Sequence, residues 1–235
     1  MKLIAHRGAS GYAPENTLAS FIKAIEMGAK AIEFDVQMTK DGQLVVIHDF
    51  FLDRTTNGEG LIMDKEYGEI RSYDAGSSFD ASFSQEYVPL LEEVLGLFPK
   101  DIEIHLEIKK IGLDKRLIEE EIYQVIKNKG LLDKTIFSSF DHHCLTRLLK
   151  HKGVRTGMLI ASSMVEPIAY MEKNGLLSYS VNEKADFVSK ELVEEIHKAN
   201  LQLNTFTVNN KSIAKYFEQI GVDGIFTNYL DILDK

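Results

Sequence analysis

The sequence predicts an α/β fold, a (β/α)8 TIM barrel with a small insertion after the third strand. Three observations predict it. Short extended runs alternate with amphipathic stretches along the chain, the pattern of βα units on a parallel sheet. The length of 235 residues suits eight such units, which take about 250 residues. Reactive polar side chains end successive extended runs, and barrels gather their active sites at that end of the strands.

The extended runs are Lys2–Ala5, Ala31–Val36, Leu44–Ile47, Ile102–Ile108, Thr135–Ser138, Thr156–Ile160, Leu177–Val181, Leu203–Val208 and Gly224–Thr227. That is one run more than a barrel needs. The link from Asp35 to Leu44 is too short for a helix, and Lys40-Asp41-Gly42 signals a turn. Either one βα unit has lost its helix or one run is not a barrel strand. Between the runs, Leu18, Phe21, Ile22 and Ile25 share one helical face, as do Leu117, Ile118, Ile122 and Val125. Asp141, Ser189 and Asn210 are N-cap candidates. Gly28, Gly130, Gly153 and Gly221 follow helical patterns where a left-handed C-cap is wanted. Phe50–Val88 breaks the rhythm and reads as an insertion within one domain spanning residues 1–235; Phe50, Phe51, Phe79, Phe83 and Tyr87 line a pocket lid or, the favoured reading, form its small core. The run Glu119-Glu120-Glu121 reads as a solvated helix face, and Cys144 as core.

Composition excludes several classes. There are 27 Lys+Arg against 36 Asp+Glu, a net charge of −9, so the chain is a poor partner for nucleic acid. An anionic substrate must be drawn by a few local cations or a metal. No run reaches 18 apolar residues, which excludes a transmembrane helix. One cysteine excludes an internal disulfide framework and a cysteine zinc cluster. MKLIAHRGAS lacks the features of a signal peptide, and a cytoplasmic protein is expected. No exposed apolar stripe that would set an oligomeric state can be read from the sequence.

His6-Arg7 ends the first run, Glu33 and Asp35 the second, His48-Asp49 the third, and Glu107 and Lys109 the fourth. Glu33 and Asp35 are two apart on a strand and point the same way. Side by side, they repel unless something neutralises them. With Glu107 arriving from another strand, three carboxylates suit a hard, oxygen-seeking cation, Mg²⁺ or Ca²⁺. The alternative is that Arg7 or Lys109 satisfies them. Two imidazoles at one rim, His6 and His48, can divide general base and general acid work; they could instead be ligands or structural histidines. Arg7 offers a planar fork for phosphate, or a salt bridge to Glu15 or Glu33. His105 is two residues before Glu107, so both face the pocket if either does.

Beyond these readings, the ordered motifs are similar to those of glycerophosphodiester phosphodiesterases. They are His6-Arg7-Gly8, Pro14-Glu15-Asn16-Thr17, Glu33-Phe34-Asp35-Val36, Thr39-Lys40-Asp41-Gly42, His48-Asp49, Asp53-Arg54-Thr55-Thr56, Asp74-Ala75-Gly76, Glu107-Ile108-Lys109 and Ser138-Ser139-Phe140-Asp141. The resemblance implies a barrel that hydrolyses a small-molecule glycerophosphodiester to sn-glycerol 3-phosphate and an alcohol, with a divalent cation, Mg²⁺ or Ca²⁺. It implies Glu33, Asp35 and Glu107 as metal ligands, His6 and His48 as the acid–base pair, and Arg7 and Lys109 on the phosphate. Glu15 would stand at the pocket rim. The departures are His105 where Asn is common, Phe206 where Trp is common, and Asn228 where a carboxylate is common. His105 would add a ligand or alter selectivity; together the changes are expected to bear on substrate preference and to leave the metal and histidine set untouched. Three other readings compete. A glycosidase would use paired carboxylates, but Glu33 and Asp35 are close for straddling a sugar, and two histidines would be left idle. The others are a phosphodiesterase for another lipid-derived diester, such as a lysophospholipid, and a non-catalytic anion-binding barrel.

Overall fold

The computed structural model describes residues 1–234. Its strands are β1 (Lys2–His6), β2 (Ala31–Met38), β3 (Leu44–Val46), β4 (Glu103–Ile108), β5 (Thr135–Ser139), β6 (Arg155–Ile160), β7 (Ser180–Lys184), β8 (Gln202–Phe206) and β9 (Gly224–Thr227). The helices are α1 (Leu18–Glu26), α2 (Tyr67–Ile70), α3 (Leu91–Leu97), α4 (Ile118–Asn128), α5 (His142–Leu148), α6 (Pro167–Asn174), α7 (Lys190–Lys198) and α8 (Lys211–Ile220). Eight strands close into a parallel ring in the order β1, β2, β4, β5, β6, β7, β8, β9, and β9 returns to pair with β1. The expected TIM barrel is therefore present. The surplus run is β3. It pairs antiparallel with the end of β2, Val46 opposite Val36 and Leu44 opposite Met38, and lies outside the ring. The insertion that follows it thus falls between the second and third strands of the ring.

Strand alternation decides what faces where. β2 is buried along its whole length. Ile32, Phe34, Val36 and Met38 face the helices and join a core with Phe21, Val94, Leu106 and Phe137. Glu33, Asp35 and Gln37 must then face the barrel interior. Phe21, Phe34 and Phe98 pack edge-on or tilted with centroids 5.8 Å apart, and burying each such ring contributes about 1.5–3 kcal/mol. A second core lies under α6, α7 and α8, around Val181, Ile196, Leu203, Phe217 and Ile225. The barrel interior itself is unusually polar, with His105, Ser180, Asn182 and Asn204 all buried.

The helix signals hold where side chain and backbone agree. Asp141, Ser189 and Asn210 cap α5, α7 and α8 by accepting from backbone N–H groups. Gly221 ends α8 at φ 89°, a conformation that glycine adopts without steric cost. Three expectations fail. The seventh strand lies at Ser180–Lys184, not Leu177–Val181, because Gly175 caps α6 and the chain needs several more residues to reach the sheet. Glu119 is fully buried, held by Arg147 and by Lys110 at 3.5 Å. The insertion's core is aliphatic, built from Val45, Ile47, Leu52, Ile62, Ile70 and Val88, while Phe51 and Phe79 are exposed. Cys144 is core, as expected. No helix among the described residues is long and apolar enough to cross a membrane.

Candidate active site

Strand register builds the site. His6 on β1 lies beside Glu33 on β2, and Asp35 lies beside Glu107 on β4. The three carboxylates offer one oxygen each within 4.8 Å of one another. Oxygens bound to one hard cation at about 2.1–2.6 Å lie at most about 4–5 Å apart, so this donor set could hold such an ion. The interior supports the fit. Asp35 Oδ1 is buried with no hydrogen-bond partner. Asp35 Oδ2 accepts from Asn16 Nδ2 at 2.9 Å and faces Arg7 Nε at 3.4 Å.

Electrostatics within the cluster are uneven. Burial and the neighbouring Asp35 and Glu107 push the Glu33 carboxyl well above its ordinary range. Burial and Asp35 likewise push Glu107 up to about 7, against the pull of Lys109. Burial opposes ionisation of Asp35 too, but Arg7, His48 and Lys109 outweigh it and hold that carboxyl low. Lys109 Nζ donates to Glu107 Oε1 at 2.7 Å and lies 4.0 Å from Asp35 Oδ1. Arg7 donates its backbone N–H to Glu33 Oε2 at 3.0 Å and its Nη1 to Glu15 Oε1 at 2.7 Å. To do so it adopts φ 56°, an uncommon conformation for a residue with a Cβ and one that concentrates at functional sites.

His48 reaches this rim by a route the sequence does not suggest. It does not end a barrel strand. The β2–β3 hairpin overshoots the rim and folds back, so that Ile47 N–H donates to the carbonyl of Asp35 at 3.0 Å. Gln37 Nε2 lies 3.0, 3.1 and 2.6 Å from the carbonyl oxygens of Ile47, His48 and Asp49 and ties the returning segment down. His48 Nδ1 is 2.5 Å from Asp49 Oδ1, and Lys109 Nζ is 3.2 Å from His48 Nε2. A lysine can only donate, so Nε2 is the acceptor and the imidazole proton sits on Nδ1, toward Asp49. Burial, with Arg7 and Lys109 nearby, lowers the pKa of His48, although Asp35 and Asp49 oppose the shift. His6 Nδ1 is 2.8 Å from Asn228 Oδ1, and burial plus Arg7 lower its pKa to about 4.

These groups open onto a cleft of about 160 Å³. Its polar lining includes His6, Arg7, Glu33, His48 and Glu107; its apolar lining is Phe140, Leu159, Phe206 and Phe226. Lys109 borders it through its contacts with His48 and Glu107. Glu15 does not line the cleft and stands behind Arg7, whose Nη1 donates to its Oε1. His105 does not reach the cleft. It is buried one layer below Glu107, with Nε2 2.9 Å from Glu103 Oε1 and its ring edge-on to Phe226. Asn228, by contrast, touches His6 directly, so that departure does not leave the histidine set untouched. The reason is ring closure: β9 is the neighbour of β1. Asn16, Gln37 and Arg54 also belong to this network: their sequence pattern alone does not mark them as site residues, although Asn16 and Arg54 lie inside the Pro14–Thr17 and Asp53–Thr56 motifs.

Residues 6–232 match the model of the glycerophosphoryl diester phosphodiesterase family. The chain belongs to that family. It is 41% identical over 231 residues to a glycerophosphodiester phosphodiesterase of Caldanaerobacter subterraneus subsp. tengcongensis, covering 96% of this chain and 93% of the relative. It is 38% identical over 235 residues to a glycerophosphodiester phosphodiesterase of Bacillus altitudinis, covering 98% and 95%. Among solved structures, an Oleispira antarctica phosphodiesterase in complex with the product sn-glycerol-3-phosphate superposes with a TM-score of 0.88 at 29% identity, covering 100% of this chain and 97% of that one. The chain is accordingly a hydrolase of the glycerophosphodiester phosphodiesterase type, on the barrel the family's structures share.

Proposed function

We propose that the chain cleaves small glycerophosphodiesters to sn-glycerol 3-phosphate and an alcohol in this cleft, with Glu33, Asp35 and Glu107 holding a divalent cation, Mg²⁺ or Ca²⁺. The observation that carries the reading is the convergence of three carboxylate oxygens within 4.8 Å beside two imidazoles and two cations. The product bound by the Oleispira antarctica neighbour supports the substrate class. A phosphodiester is an anion and resists attack. A divalent cation, when bound, supplies positive charge against its anionic oxygens.

The chain's own residues do the rest. Arg7 and Lys109 seat the phosphate from two sides, Arg7 with a planar fork fixed by Glu15 and Lys109 as a point charge. His48 takes a proton at Nε2 from the attacking hydroxyl, and Asp49 stabilises the imidazolium that forms, the role a buried carboxylate plays behind a catalytic histidine. His6 enters the step as the imidazolium, a form that the negative charge of a bound phosphodiester favours against burial, and gives its Nε2 proton to the departing alkoxide while Nδ1–H stays on Asn228 Oδ1. Proton transfer of this kind contributes about 10²–10⁴-fold. The attacking hydroxyl is that of water or the substrate's own glycerol 2-hydroxyl; capture of a cyclic phosphate identifies the second. Phe140, Leu159, Phe206 and Phe226, the apolar part of the lining, exclude water from the reacting phosphate.

The test is a coupled assay for glycerol 3-phosphate released from a panel of glycerophosphodiesters, with Mg²⁺, Ca²⁺ or Mn²⁺ and after chelation. Release should need one divalent ion, and His6→Ala and His48→Ala should each lower kcat by orders of magnitude with the fold intact. Full turnover after exhaustive chelation removes the metal from the reaction. Wild-type rates in either variant remove that histidine.

A further inference from the structure

The insertion sends one side chain toward the catalytic groups without entering the cleft. Arg54 uses four donor contacts in two forks. Nη1 and Nη2 donate to Glu15 Oε2 and Oε1 at 2.8 and 2.7 Å. Nε and Nη2 donate to Asp49 Oδ2 and Oδ1 at 2.5 and 3.1 Å. Each carboxylate has a second client. Glu15 Oε1 also accepts from Arg7 Nη1 at 2.7 Å, and Asp49 Oδ1 also meets His48 Nδ1 at 2.5 Å. One guanidinium therefore stands behind both a phosphate-side cation and an acid–base imidazole.

We propose that Arg54 is a positioning residue that sets Arg7 through Glu15 and His48 through Asp49, making the insertion a brace for the active site. The inference rests on the roles of Arg7 and His48 proposed above.

Its geometry suits the task. The Arg54 side chain is 47% exposed, so its ion pairs are partly screened and contribute little to stability singly. What two bidentate forks supply is direction. The platform is firm: Leu52 is fully buried in the insertion's core, its N–H donates to the Gly60 carbonyl, and its carbonyl accepts from both the N–H and the Oγ1 of Thr56. Lysine cannot replace arginine here. A single ammonium is a point charge without the planar fork and cannot face both carboxylates bidentately.

A misplacement of about 1 Å in catalytic groups lowers rates by about 10²-fold. Arg54→Ala should therefore lower kcat/KM by about 10- to 100-fold, with both kcat and KM affected because both the histidine and the phosphate cation lose their brace. Its melting temperature should fall by under about 4 °C. Arg54→Lys should recover less than half of the logarithmic loss. Guanidinium ion at millimolar concentration should raise the rate of Arg54→Ala saturably and leave Arg54→Lys unchanged. The His48 Nδ1 proton resonance, read in the presence of saturating Mg²⁺, should shift or exchange faster in Arg54→Ala. A kcat/KM within twofold of wild type, or a loss that guanidinium does not rescue and that leaves the His48 resonance in place, overturns the proposal. Should Arg54→Ala fail to fold, Arg54→Gln, which keeps a planar polar head, takes its place in each measurement. If the wild type itself releases no glycerol 3-phosphate while the resonance still responds, the bracing stands and the proposed reaction falls.

Discussion

Substituting Glu107 by Gln should make the metal-free protein more stable at alkaline pH and blind to the metal. Glu107 has a side chain 12% exposed, and burial with Asp35 nearby raises its carboxyl from 4.5 to about 7. A carboxyl with a raised folded-state pKa stabilises nothing below its unfolded value, where both states are protonated. As pH rises from about 4.5 to about 7 the unfolded chain gives up its proton first, and folding stability falls by ~1.4 kcal/mol per pH unit, about 3 kcal/mol in all. Glutamine has no such proton. The variant and the wild type should be of similar stability at pH 5, and the variant should lead by about 3 kcal/mol at pH 8. His6, His48 and His105 have lowered pKa values and contribute the opposite slope, but they are common to both proteins and cancel in the difference; Glu33, which Glu107 helps push up, is relieved in the variant and moves the difference in the same direction. The assay is urea unfolding in EDTA at the two pH values. Mg²⁺ or Ca²⁺ at one hundred times Kd should then add about 2.7 kcal/mol to the wild type at pH 8 and far less to the variant. A stability difference that is the same at pH 5 and pH 8, or an equal gain from metal in both proteins, refutes the reasoning.

Asn228→Asp places a carboxylate where Asn228 Oδ1 now meets His6 Nδ1 at 2.8 Å. An opposite charge at that range favours the imidazolium, so His6 should titrate about one to three pH units above its present value near 4; a histidine NMR titration in which it still titrates near 4 removes Asn228 as the neighbour that tunes it. Gly157→Ala puts a Cβ 2.6 Å from Asn182 Nδ2 and 2.8 Å from Ser180 Oγ inside the barrel. Overpacking there should cost about 1–3 kcal/mol, a drop of several degrees in melting temperature; an unchanged melting temperature shows that the interior has room the close packing denies.

What the sequence showed, and what it hid, divides along the range of the interactions. Glu33, Asp35 and Glu107 were legible because a strand's two-residue alternation and a barrel's common rim are local rules, and they bring those carboxylates within 4.8 Å. The caps at Asp141, Ser189 and Asn210 were legible for the same reason: donor and acceptor lie two or three residues apart. The sixth strand of the ring, β7, is hidden because Leu177 and Val181 carry the apolar pattern while the true strand holds Asn182, Glu183 and Lys184. A polar interior suppresses the signal by which strands are found. Glu119 misled in the same way, since its partner Arg147 comes from α5 and no helical periodicity announces it. The longest-range contact was the least visible. His6 and Asn228 are separated by 222 residues and meet only because β9 closes on β1. A change at position 228 therefore acts on His6 at the other end of the sequence, while His105, two residues from Glu107 of the carboxylate cluster, is buried beneath it. Nearness to the chemistry is set by ring order and strand level, so the residues that tune this site belong to β9 and to the insertion as much as to the motifs that reveal it.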